Sequence, residues 1–250
     1  MKMNFQWMMA IVAFMMISST GFAQTKEKID KANTKGNAVF LTVTDGSKML
    51  SEVKEMAVKA QKKYPKSEVI MLDRADKTNA ALVTKYGLSG APLPLILVMA
   101  SNGVVAGGLT IKDATPEDLV SLVPTKKQAQ ALLAFSESKS AYIVLYKKSM
   151  NDKSSAIAEC NKAAAGLSGK AVVVDLDLDD KSEAEFLSLL KPEMTATNTH
   201  ILVFNGKGQF TGEFTAPVQS PALIASAKKV VKSGCAPGAC GAGTSGCGPK

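Results

Sequence analysis

The sequence predicts an α/β protein in which one unit of order β-α-β-α-β-β-α is used twice in tandem. Three observations carry this reading. Apolar runs recur at a separation of 103 residues: Ala38, before Val39-Phe40-Leu41, falls onto Ala141, before Tyr142-Ile143-Val144, and Val69-Ile70-Met71 falls onto Val172-Val173-Val174. At the same separation Asn102-Gly103 and Asn205-Gly206 follow the apolar runs 95–100 and 201–204. The runs are short and rich in β-branched residues, and they alternate with stretches of helical periodicity. A repeat of about 100 residues is the size of a domain, not of a solenoid repeat.

Each element has a local reason. Residues 39–43 read as a strand. Met49, Val53, Met56, Ala57 and Ala60 recur at helical spacing, and Pro65 after Tyr64 ends that helix, because proline cannot continue it. A second buried strand follows at 69–72, then a short helix at 79–86 stopped by Gly87, then a third strand at 95–99. Asn102-Gly103 is a hairpin signal that turns the chain into a fourth strand at 104–109. Thr115-Pro116-Glu117-Asp118 caps a last helix with proline in its first turn. The second unit gives strands at 142–146, 171–176, 200–204 and 210–214 and helices at 152–167, 182–190 and 221–231. A βαβ crossover followed by a hairpin and a helix covers both faces of a sheet. The organisation is therefore a leader at 1–23, domains at 24–123 and 140–232, a connector at 124–139 of helical character around Ala131-Leu132-Leu133, and a tail at 233–250.

The leader is read from Lys2, the apolar run 7–17, and the small residues that end at Ala23. This is the pattern of a secretory signal peptide, and its apolar run is shorter than the roughly 20 residues that span a bilayer. Cleavage after Ala23 leaves 227 residues and lowers the formal charge from +8 to +7. No cysteine follows the apolar run, so no lipid attachment site is present there. The expectation is an exported protein, periplasmic or secreted, with no membrane span once the leader is removed. The remaining positive charge is scattered, as in Lys54, Lys59, Lys62, Lys63 and Lys66 around one helix. That reads as a solvated face and not as a nucleic-acid surface, which needs clustered basic and aromatic residues.

The stretch VIMLDRADKTNAALVTKYGLSGAP, from Val69 to Pro92, resembles the thioredoxin family between its second βαβ strand and its cis-proline. Lys85-Tyr86-Gly87-Leu88-Ser89-Gly90-Ala91-Pro92 is similar to that family's KYGIRGIP-type turn, and Asp175-Leu176-Asp177 to its D-V-D strand end. The resemblance implies two tandem thioredoxin-like domains, over about 38–123 and 141–231. It also implies a cis-proline that shapes a groove for an extended peptide. The turn motif points to Pro92, the distance to Asn102-Gly103 to Pro94. The second repeat has Thr197 and Asn198 nearby and no proline.

The chain departs from the family where the chemistry would be. Thioredoxins carry C-x-x-C where the first strand meets the first helix, and the helix N-terminus lowers the thiol pKa. Here the junction is Thr44-Asp45-Gly46-Ser47, and in the second repeat Lys148-Ser149-Met150-Asn151-Asp152. No thiolate forms at either place, and Asp45 and Ser47 read as helix-capping groups. Copies of this fold without the dithiol commonly bind peptides or proteins, so the resemblance implies a non-catalytic binding or scaffold module with a protein or peptide partner.

The four cysteines lie elsewhere. Cys160 falls among alanines of a helix and reads as a buried inert thiol. Cys235, Cys240 and Cys247 lie in a tail with six glycines and almost no apolar bulk, too little to offset chain entropy, so the tail is predicted to be flexible. Three readings stay open for it. Thiolates suit Cu(I) or Zn(II), although the spacing C-x4-C-x6-C matches no standard zinc set. An oxidising compartment favours a disulfide or exchange with a partner. A spacer with incidental cysteines is the third.

Other constellations are weaker. Asp175, Asp177, Asp179 and Asp180 lack the order of a calcium loop and read as solvated acids at a strand end. Gly103 to Gly108 opens no helix with Gly-Lys-Ser/Thr and is no phosphate loop. His200, the one histidine, sits in a predicted strand with no acid or nucleophile placed beside it, and gives no hydrolase constellation.

Overall fold

The computed structural model describes residues 20–46, 50–112 and 114–231. The chain divides into two compact units between Leu132 and Leu133. The first holds helix α1 (Thr20–Thr34), β1 (Ala38–Thr44), α2 (Leu50–Lys63), β2 (Ser67–Asp73), a 3-10 turn at Lys77–Asn79, α3 (Ala80–Lys85), β3 (Leu95–Met99), β4 (Val105–Thr110) and α4 (Pro116–Ser121). Helix α5 (Lys126–Ser136) crosses the division. The second unit continues with β5 (Ser140–Tyr146), α6 (Lys153–Gly166), β6 (Ala171–Asp177), a 3-10 turn at Lys181–Glu183, α7 (Ala184–Leu190), β7 (His200–Phe204), β8 (Phe210–Thr215) and α8 (Ser220–Ala227).

Each unit has a four-stranded mixed sheet, in the order β2-β1-β3-β4 and β6-β5-β7-β8. The first two strands of each unit are parallel, and the last two join antiparallel. All seven residues of β1 are buried. Successive side chains of a strand point to opposite faces, so β1 needs a cover on both. Val39, Leu41 and Val43 pack with Ile29 and Ala32 of α1 and Leu82 and Val83 of α3. Ala38 and Phe40 pack with Val53, Ala57 and Ala60 of α2 and Leu119 of α4. In the second unit Tyr142 and Val144 pack with Ala156, Cys160 and Ala163 of α6 and Leu223 and Ala227 of α8.

The local signals place most elements within two residues. Thr115 and Asp118 form the full capping box of α4, which satisfies two otherwise orphan N–H groups. Helix α8 is shorter than the predicted 221–231 and ends at the cap residue Lys228. Helix α1 is the element the sequence did not announce. The stretch 124–139, read as a connector, contains α5, which precedes β5 by three residues just as α1 precedes β1. The repeated unit is therefore α-β-α-β-α-β-β-α.

The single offset of 103 does not hold in three dimensions. Val39 and Ala141 occupy the same place at the strand pairing, 102 residues apart, whereas Met99 and Phe204 lie 105 apart. Ser67 and Ala171 lie 104 apart. The hairpin turns follow the same shift. The N–H of Gly103 donates to the Ala100 carbonyl, and that of Gly208, not Gly206, donates to Asn205. Gly103 and Gly208 both have positive φ, 81° and 72°, so each closes a three-residue turn that needs a left-handed residue at its end. Gly206 is required for a different reason: a Cβ there would collide with the backbone carbonyl of Ser138.

Candidate functional site

In each unit the C-terminal ends of the two parallel strands meet the loop that leads into the third. In unit 1 this edge holds Thr44, Asp45, Gly46, Asp73, Arg74 and the segment 86–94. Thr44 is the buried last residue of β1, and its carbonyl accepts from the N–H of Arg74 at 2.6 Å. Asp45 and Gly46 follow in an exposed bend, Gly46 at φ 75°. Ser47 lies outside the described residues. The Asp45 carboxylate lies 3.8 Å from the Arg74 guanidinium; the residues whose N–H groups it would cap, 47–49, lie outside the described residues.

Arg74 is the only arginine in the chain. Its Nη1 donates to the carbonyls of Leu88 at 3.1 Å and Ala91 at 2.9 Å. One planar cation thereby ties the end of β2 to the turn before β3, using donors a lysine does not present in that geometry. Asp73 turns its Oδ1 back to the N–H of Ala75, and its carbonyl accepts from Asn79. Beyond the turn, Pro92 is exposed, Leu93 half-buried and Pro94 buried. The Leu93–Pro94 peptide is cis, which places the proline of the resemblance at Pro94 and not at Pro92. Among the described residues the N–H and C=O of Leu93 make no hydrogen bond, so this residue presents a free backbone edge in line with β3.

The strand order and the parallel crossover, which the two units share, decide the architecture. Both units are thioredoxin-like. No protein-family model matches the chain, and no curated protein does. Among solved structures it is similar to the first two thioredoxin domains of Eps1p from Naumovozyma dairenensis, with 9% identity and a TM-score of 0.32 over 86% of this chain and 100% of that one. It is similar to the same domains of Saccharomyces cerevisiae Eps1p, with 8% identity and a TM-score of 0.29 over 82% and 96% of the two chains. A third similar structure is the zinc-bound form of human ERp44, with 10% identity and a TM-score of 0.33, covering 80% of this chain and 57% of that one. At these scores the likeness adds no weight, and the fold rests on the topology above.

Unit 2 builds the same edge from different residues. By the pairing of β7, Thr199 stands 105 residues after Pro94, at the same place before the strand. Unlike proline, threonine carries an N–H, and Thr199 is fully buried. A buried donor needs a partner, and Asp152 supplies it. The Asp152 carboxylate accepts from the Thr199 hydroxyl at 2.7 Å, from its N–H at 3.1 Å, and from Asn198 Nδ2 at 3.2 Å. Asp152 stands at the head of α6 without capping it through its side chain. Burial raises its pKa, but the hydrogen bonds from Thr199 and Asn198 outweigh that and hold it below its ordinary 3.8. Thr197, the residue that an offset of 103 pairs with Pro94, bonds only to its neighbour Asn198.

The remaining sequence candidates separate. Cys160 is fully buried and free; burial, with Glu159 beside it, pushes its thiol up to about 12, far from nucleophilic use. Asp175 accepts from the Tyr146 hydroxyl, Asp177 from the N–H of Asp179, and Asp180 from the N–H of Ser182. Among the described residues no group of three potential metal ligands comes together. His200 does have an acid beside it, contrary to the sequence reading: the pairing of β7 with β8 brings Glu213 within 3.0 Å of its Nδ1. Cys235, Cys240 and Cys247, and the leader residues 1–19, lie outside the described residues. Arg74 and Thr199 are the residues sequence reasoning missed. The first was visible as a lone arginine; the second was hidden by the wrong register.

The Asp152 clasp yields a prediction with a sign. A carboxylate whose folded pKa is depressed adds stability that is present above its unfolded pKa and is lost as pH falls through the folded value. Asp152→Ala, which strands the buried donors of Thr199, is expected to lower unfolding free energy by about 1–3 kcal/mol at neutral pH. The gap should close as pH falls below 3.8, where the wild-type carboxyl takes up its proton. Urea unfolding followed across that range measures it, and a gap unchanged on the acid side contradicts the clasp.

Proposed function

We propose that the chain is an exported, tandem thioredoxin-like binding module that holds extended polypeptide at the open backbone edge of Leu93. In this reading its folded units perform no dithiol chemistry, and its reactive groups are Cys235, Cys240 and Cys247 in the tail. The observation that carries the reading is the combination at the unit 1 edge: an unpaired strand-like residue, Leu93, beside a junction whose described residues are Thr44, Asp45 and Gly46. An unpaired N–H and C=O next to a sheet is a template for main-chain pairing with a partner strand. The leader pattern of residues 1–23 supports export. Among the described residues no helix is long and apolar enough to cross a membrane.

The test is an NMR titration of the full chain with a cysteine-free extended peptide. Shifts at Ala91, Leu93 and Leu95 are expected, and N-methylation of alternate peptide amides, which removes the pairing donors, should abolish them. Shifts confined to other surfaces would overturn the assignment.

For the tail, the proposed chemistry is a soft-metal site for Cu(I) or Zn(II), or thiol pairing. Native and denaturing mass spectrometry distinguish them. A metal-sized increment lost on denaturation and absent from Cys235→Ser/Cys240→Ser/Cys247→Ser supports the metal. A mass deficit of two hydrogens that disappears on reduction supports a disulfide and the alternative reading, a redox protein whose thiols have moved to the tail. Free thiols at the apo mass contradict both.

A further inference from the structure

Arg74 and Leu178 occupy the same position in the two units. The N–H of each donates to the carbonyl of the last residue of the neighbouring strand, Thr44 and Tyr146 respectively. The turn each faces is also the same: Ala91 N–H donates to Leu88 at 3.2 Å, and Ala196 N–H to Glu193 at 3.1 Å. In unit 1 the guanidinium of Arg74 is bonded to the carbonyls of Leu88 and Ala91. In unit 2 the counterpart carbonyls belong to Glu193 and Ala196, and the leucine at the arginine's place has no donor to offer them.

What unit 2 has instead is space. A small pocket of about 60 Å³ is lined by Leu178, Glu193, Ala196, His200 and Glu213. It adjoins an open, largely apolar groove of about 460 Å³, with which it shares Leu178, Lys191 and Pro192, and which also takes in Ala184, Leu187 and Met194. Glu193 and Glu213 line the pocket with Lys191 and His200, the Glu213 carboxylate lying 3.0 Å from His200 Nδ1, and Asp179 and Asp180 line the groove with Lys181.

We propose that the unit 2 pocket receives the guanidinium of an arginine side chain from an extended peptide partner. The stem of that arginine lies along Leu178 and the apolar groove, and its planar fork meets the Glu193 and Ala196 carbonyls and the Glu213 carboxylate. Unit 1 supplies the template, because its own Arg74 makes the equivalent contacts from within. Two carbonyls and a carboxylate suit the guanidinium fork better than the point charge of lysine. The site is separate from the edge at Leu93 and stands or falls independently of it.

The probe is a short glycine–serine peptide with one central arginine, compared with its lysine and norleucine counterparts, titrated into the full chain by NMR. The arginine peptide is expected to bind about tenfold more tightly than either counterpart, with shifts at Leu178, Ala196 and Glu213 and not at Leu93. Leu178→Arg, which fills the pocket with the chain's own guanidinium, should abolish binding while leaving the melting temperature close to wild type. Glu213→Gln should weaken binding about tenfold. Equal affinity for the three peptides, absence of saturable binding, or full binding by Leu178→Arg would overturn the proposal. If Leu178→Arg does not fold, Glu213→Gln decides: unchanged affinity overturns it.

Discussion

Strands β1 and β5 are hydrogen-bonded along both edges, and β1 is buried on both faces. A strand in that position admits no water to its backbone or side chains, so helices must cover it above and below. That requirement fixes the alternation of Val39, Leu41 and Val43 toward α1 and α3, and of Ala38 and Phe40 toward α2. It also fixes where functional groups can stand. The interior of the sheet is closed, and the first places where backbone and side chain emerge are the C-terminal strand ends. This is where ligands bind in open α/β sheets generally, and it is where Asp45, Arg74, Leu93, Asp152, Leu178 and Thr199 collect.

At those ends the two units solve one problem in two ways. The residue before the third strand is buried in both. In unit 1 it is Pro94, which has no N–H to satisfy, and the preceding turn is held by Arg74. In unit 2 it is Thr199, whose N–H and hydroxyl are held by Asp152, and the turn is left without an arginine. One architecture carries two edges that differ in side-chain clasp, in open backbone and in cavity. The folded units thus offer distinct surfaces on one architecture. Cys160, the thiol inside a unit, is sealed from chemistry by the packing of Tyr142, Ala156 and Ala163 around it.

Much of the fold was legible because local signals and global packing agree. The β-branched runs became strands, the Thr115–Asp118 box capped α4, and Pro65 ended α2. What failed had physical causes. Helix α1 presents a thin apolar seam, in which Ile29 and Ala32 pack into the core, and its start falls within residues read as a leader. The repeated Asn-Gly pairs matched by sequence but not by place, because the turn demands glycine at its left-handed third residue, Gly103 or Gly208. That shift of two residues set Thr197 against Pro94 and concealed Thr199. Arg74 stood out in composition, yet its partners lie 14 and 17 residues away, a contact no periodicity announces.

Neither strand-end junction holds a cysteine, and the proposed role of both is to clasp the turn and to bind. The most direct measurement is turnover of a disulfide substrate by the full chain with Cys235, Cys240 and Cys247 replaced by serine, in the presence of a thiol reductant. No rate above that of the reductant alone is expected, since Cys160 is buried and its thiol is pushed up to about 12. A rate above that background would place thiol chemistry inside a folded unit and overturn the binding role proposed for it.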